Sequence, residues 1–181
     1  MCIPAFKPER CLREEDGESD VSKKLHELHS TDEDKISNVV TRSCSGTIYH
    51  MCQKYLWEKS IESKTAYFPP TYDADGFFTH ATAVPERLIE TANHFYTKTV
   101  GEWICIEMDS DALSNLGICT RFEEAKPVGE TGVPDNSDDW QCPHIYGGIP
   151  GHIDGVVTNI YKMERDDEGN FLSIEGITSK N

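Results

Sequence analysis

Residues 67–82, YFPPTYDADGFFTHAT, decide how this chain is read. Pro69 and Pro70 rule out a continuing helix and hold an extended approach, because each ring fixes φ and removes a backbone donor. Asp73, Ala74, Asp75 and Gly76 then supply turn chemistry ahead of a short aromatic strand, GFFTHAT, that ends close to His80. Two further histidines stand in similar settings, His50 at the end of TIYH and His144 in CPHIYGGIP. Imidazole can donate, accept or ligate near neutral pH. Each of the three has an aromatic neighbour in sequence, the mixture expected of a pocket with a few polar groups in an apolar lining. The three segments are therefore expected to converge on one small-molecule site.

Working outward, residues 1–45 mix charge with Ser, Thr and Asp and show little apolar periodicity. Such a stretch buries too little to offset the entropy of ordering, and a mostly disordered acidic arm is expected. Within it VSKKLHEL, residues 21–28, has helical spacing enough for a turn or two. From Gly46 the pattern changes, and residues 46–176 read as one folded domain followed by a tail at 177–181. TIYHMC is its first strand. Residues 53–63 form an amphipathic helix with Leu56, Trp57 and Ile61 inward. A second helix follows Pro85, with Leu88, Ile89, Ala92 and Phe95 on one face. EWICIEMD, ICTRFEE, VVTNIYKM and FLSIEGI complete the strand set, the last two joined by the turn DDEG. The expected class is α+β, a curved, split, mixed β-sheet in the form of a half-barrel with flanking helices.

Composition narrows the partners. The chain has 181 residues and a formal net charge of -15, so its average field repels phosphate backbones and anionic lipid. Nucleic acid is disfavoured as a partner, although screening leaves room for a local basic pocket. No apolar run approaches the roughly 18 residues of a membrane helix, and no membrane association is expected. The seven cysteines are scattered, without CxxC spacing, and the start has no apolar leader core, which together point to a reducing, cytoplasmic setting. Whether Cys2 is modified, and the oligomeric state, stay open. Cys44, His50, Cys52, His80, Cys142 and His144 could offer nitrogen and sulfur to zinc, but their spacing matches no familiar cage, so no metal is assigned. GGIPGH lacks the lysine and following helix of a phosphate loop.

TIYH, Trp57-Glu58, FPPTYDADGFFTHAT and CPHIYGGIP followed by DGVV resemble, in order and separation, the family catalogued as domain of unknown function 952, over roughly residues 46–163. That resemblance implies an ADP-ribosyltransferase-like fold, in which a split sheet holds NAD and a polar first-strand residue contacts a ribose. By the likeness His50 takes the ribose position, His80 the second motif and His144 the third, where classical transferases carry a glutamate. Tyr49, Thr82 and Tyr146 would assist in binding. The implied function is binding of NAD or a related nucleotide and cleavage or transfer at the nicotinamide ribose, with His50, His80 and His144 as the catalytic candidates. The competing reading is a non-catalytic small-ligand-binding or interaction module.

Overall fold

The computed structural model describes residues 46–134 and 140–178. The acidic arm, its short helical pattern and the last residues of the tail lie outside them. Strand β1 (Thr47–Gln53) runs directly into helix α1 (Lys54–Glu62). Strand β2 (Thr79–His80), α2 (Arg87–Phe95), β3 (Trp103–Asp109), α3 (Ser110–Asn115), β4 (Cys119–Glu124), β5 (Gln141–Tyr146), β6 (Val157–Arg165) and β7 (Phe171–Ile174) follow. Among the described residues no helix is long and apolar enough to cross a membrane.

The strands form two sheets, β1-β3-β6-β7 and β2-β5-β4. The expected α+β class and curled half-barrel are present. The mixed sheet is not, since every described ladder is antiparallel. The reason is local: β1 returns to β3 through α1 and α2 in the opposite sense, and β6 and β7 form a direct hairpin, so no connection produces a parallel pair. The sheets meet where Tyr49 and Thr82 exchange backbone hydrogen bonds of 2.8 and 2.9 Å, across the split between β1 and the end of β2.

Strand β3 is central, and both of its faces are covered. Ile104, Ile106 and Met108 pack with Ile48 and Cys52 of β1, Trp57 of α1 and Ile145 of β5. Trp103 and Cys105 point the other way, into a cluster with Met51, Leu88 and Ala92 of α2, Met163, Phe171 and Ile174. This is why WICIEMD is a nearly continuous apolar run. Trp57 is the expected core anchor, 4% exposed. Helix α2 is fastened to β7 by Asn93, whose side-chain amide bonds the Phe171 carbonyl at 2.9 Å and whose oxygen accepts from the Phe171 amide at 2.7 Å. That imitates one rung of a strand ladder along the sheet's outer edge. The fold continues past residue 176: Ile177 packs on the second cluster, and the Thr178 hydroxyl accepts from the Ile174 amide at 2.7 Å.

QCPHIY was not expected as a strand, yet it forms β5, the middle of the second sheet. A proline within a run normally argues against a central strand. Here the Pro143 carbonyl accepts from the Ala81 amide at 2.9 Å, so its nitrogen faces the same side, where β2 is already ending. The missing donor costs one bond at the end of a two-residue strand rather than a rung within a ladder.

Candidate functional site

A recess opens beside the junction of the two sheets. His50, His80, Thr82, Arg87, Lys126 and Trp140 are among the residues lining it, and among the described residues no Asp or Glu belongs to the lining. Its cavity volume is about 70 Å³. A water needs roughly 10–15 Å³, so the cavity has room for a few waters or a small fragment of a ligand.

Strand β1 delivers His50 on the face that also carries Ile48 and Cys52. The His50 Nδ1 donates to the His80 carbonyl at 2.6 Å, and Nε2 is buried without a partner among the described residues. Burial drives the His50 pKa down to about 4, only partly opposed by that bond, so the ring is neutral at pH 7. Its free Nε2 is therefore a lone-pair acceptor.

His80 follows the turn that the sequence marked. Its Nε2 also lacks a hydrogen-bond partner, but stands 3.5 Å from Asp75 Oδ2. Burial and the neighbouring His144 lower its pKa to about 4, against the pull of Asp75. The Asp75 carboxylate is itself 1% exposed. One oxygen accepts from the Thr71 hydroxyl at 2.6 Å and the other from the Gly129 amide at 2.7 Å. Reading residues 73–76 as a turn was right for the backbone, which closes through Asp75 N to Thr71 O at 2.8 Å. It gave no sign that one of the two aspartates turns inward.

His144 lies beside these residues but does not line the recess. It is fully buried, with ring centroids 5.2 Å from His80 and 4.3 Å from Phe78. Its Nδ1 donates to Glu123 Oε2 at 2.9 Å, and burial lowers its pKa. Glu123 also accepts from the Tyr146 hydroxyl at 2.8 Å and from Lys126 at 3.0 Å. Burial alone would raise the Glu123 pKa, but these three donors outweigh it and bring the group to about 2.

The structure thus brings together His50, His80 and Thr82 at the recess and places His144 behind it. Tyr146 is turned to Glu123 and lies under the Arg121 guanidinium, 4.6 Å from its centroid. Tyr49 occupies the opposite face of β1, where its hydroxyl joins those of Thr158 and Tyr161 on Glu107. Asp75, Arg87, Glu123 and Lys126 were not singled out by sequence reasoning. Arg87, Arg121 and Arg165 are the arginines among the described residues; Arg165 is committed to the carbonyls of Thr97, Thr99 and Gly169, whereas Arg87 stacks 4.7 Å over Trp140 at the recess. Among the described residues no group of three or more His, Cys, Asp and Glu is disposed to hold a metal ion.

The fold has solved counterparts. The crystal structure of protein CC0527 from Caulobacter crescentus aligns over 70% of this chain and 94% of its own, with a TM-score of 0.50 at 16% identity. A double mutant of the same Caulobacter crescentus protein gives the same values. At this identity the likeness concerns the fold alone. None of the curated proteins compared with the chain matches it. A family profile, described as "Protein of unknown function (DUF952)", matches residues 51–158, from the middle of β1 through the start of β6 and across both His80 and His144. The chain belongs to this DUF952 family.

Proposed function

We propose that the recess binds NAD or a related nucleotide, with His50 and His80 meeting a ribose and Arg87 and Lys126 meeting phosphate. The observation that carries this reading is the lining itself: two cations and two neutral imidazoles brought together at one opening of a strongly acidic protein. A neutral imidazole whose buried Nε2 has no donor accepts a hydroxyl proton well. Arginine and lysine beside it favour a phosphate, and Trp140 offers a flat face to a base. The split antiparallel sheet, with both histidines at the split, supports an ADP-ribosyltransferase-like arrangement in which the nicotinamide ribose would sit at the junction. Cleavage or transfer there would proceed through an oxocarbenium-like state, stabilised by groups fixed in advance around the ribose. The described cysteines are all free, which accords with a reducing intracellular setting.

The test is incubation with NAD, following nicotinamide release and label transfer, with His50→Ala and His80→Ala alongside. Turnover lost in both variants is the expected result. Saturable binding without turnover would favour a non-catalytic nucleotide-binding module. No binding of any nucleotide in a thermal-shift series would overturn both, since a ligand specific for the folded state must stabilise it.

A further inference from the structure

Asp75 has a setting that a turn residue does not require. Its carboxylate is almost completely buried, held from both sides by Thr71 and Gly129, and placed 3.5 Å from His80 Nε2. An ionised carboxylate removed from water is costly unless its oxygens are bonded and a positive partner is at hand. Two donors serve its oxygens, and His80 is the one basic group within 4.0 Å of it among the described residues. Its charge is also felt by His144 and Tyr96. His80 is in turn the histidine that touches both the recess and a carboxylate: His50 bonds a carbonyl, and His144 is buried outside the lining.

We propose that Asp75 and His80 form the proton-accepting pair of the recess, with Asp75 as the positioning residue and counter-charge. The step is a simple transfer. The ring bonds the Pro127 carbonyl, which only accepts, and this leaves Nε2, the nitrogen facing Asp75, unprotonated. A hydroxyl or water that reaches Nε2 gives it a proton; the O–H bond breaks, an N–H bond forms, and the electron pair stays on the oxygen, which becomes the nucleophile. The imidazolium then faces Asp75 and tightens a contact that is long while the ring is neutral. Its other titratable neighbours are His144 from β5 and His50 from β1, either of which, if charged, would disfavour the cation; Lys126 lines the recess with it, and Glu123 is engaged by His144. Asp75 is the one charged group that favours the cation, beside a backbone bond to Pro127. The proposal rests on reading the recess as a ligand site, but not on which ligand enters it.

Its test needs no ligand. The His80 ring is titrated by NMR in the native protein, in Asp75→Asn and in Thr71→Val. Asp75→Asn is expected to weaken proton binding at His80 roughly tenfold or more, the effect of removing an opposite charge at this range. Thr71→Val keeps the carboxylate but removes the hydroxyl that partly satisfies it, and is expected to strengthen proton binding. An unchanged His80 midpoint in folded Asp75→Asn would overturn the pairing. If that variant does not fold, Thr71→Val decides, and an unchanged or lowered midpoint there overturns it equally. A protein that shows the paired titration yet never binds or cleaves NAD would refute the nucleotide reading and leave the pair intact.

Discussion

The His50 Nδ1 donates to the main-chain carbonyl of His80 at 2.6 Å, so one imidazole joins the first strand of the large sheet to the second strand of the chain, in the small sheet. A carbonyl only accepts, which fixes the proton on Nδ1 and leaves Nε2 as a lone pair. Replacing His50 with Phe would keep a ring of similar size and remove the donor. The expected cost is about 1–3 kcal/mol in urea unfolding, the usual penalty for leaving a buried acceptor unmatched. A loss below about 0.5 kcal/mol, the lower end for a typical hydrogen bond, would show that the two sheets do not depend on this one.

Acid should unfold the protein at a higher pH than surface carboxylates alone would require. His50 and His80 are both held near 4, below the ordinary 6.5. Between those values the unfolded chain binds protons that the folded one refuses, so stability is full above about pH 6.5 and falls as pH drops toward 4. The loss for His50 is on the order of 3 kcal/mol. Glu123, held near 2, adds a second loss that begins below its ordinary 4.5 and continues toward 2. Melting curves at half-unit steps from about pH 7.5 to 4 check this, and a flat profile between about 6.5 and 5 would contradict the buried neutral histidines.

Arg87 and Lys126 carry the charge of the recess lining. Arg87→Met and Lys126→Met are each expected to weaken NAD binding roughly tenfold, the value of one charge-assisted hydrogen bond. Native affinity should also fall with added salt. Calorimetric titration at two ionic strengths gives both readouts. Equal affinity in native protein and both variants would remove phosphate from the reading.

Gly151 lies against α1. A Cβ there would run into the Trp57 indole and press on Ile61, both part of the packing that holds the helix on the sheet. Gly151→Ala should therefore destabilise by about 1–3 kcal/mol through overpacking. Gly155→Ala meets open space but has φ +84, so any loss there reports backbone strain instead. Comparing the two by denaturant unfolding separates crowding from conformation.

The described thiols should react in a set order. Burial pushes the Cys105 thiol up to about 12, and that of Cys52 further, while Cys119 and Cys142 are only partly covered. The thiolate is the reactive form. Timed alkylation followed by peptide mapping should label Cys119 and Cys142 before Cys52 and Cys105 in the native protein, with the difference vanishing in denaturant.

The readable parts of the sequence were those whose signal is local. Apolar spacing placed α1 and α2 within a residue or two, and runs of β-forming residues bounded by turns located β1, β3, β4, β6 and β7. GFFTHAT was read too long, because only Thr79 and His80 find partners on β5. QCPHIY was passed over, because Pro143 argues against a strand unless the end of the neighbouring strand is known. His50 and His80 were picked out because both stand beside turns or aromatic residues on short strands, and those strands border the opening.

What the sequence determined by itself is the two longer helices, five of the seven strands, the turn before β2, and the histidines to examine. Tertiary structure alone decided that His144 is fully buried outside the recess lining, that Asp75 turns inward while Asp73 remains exposed, and that Arg87 and Lys126 meet at one recess. The reason is physical. Backbone periodicity is set by neighbours a few residues away, whereas the burial and charge environment of a side chain depend on groups that only packing brings near, as Gly129 is brought to Asp75 across 54 positions of chain.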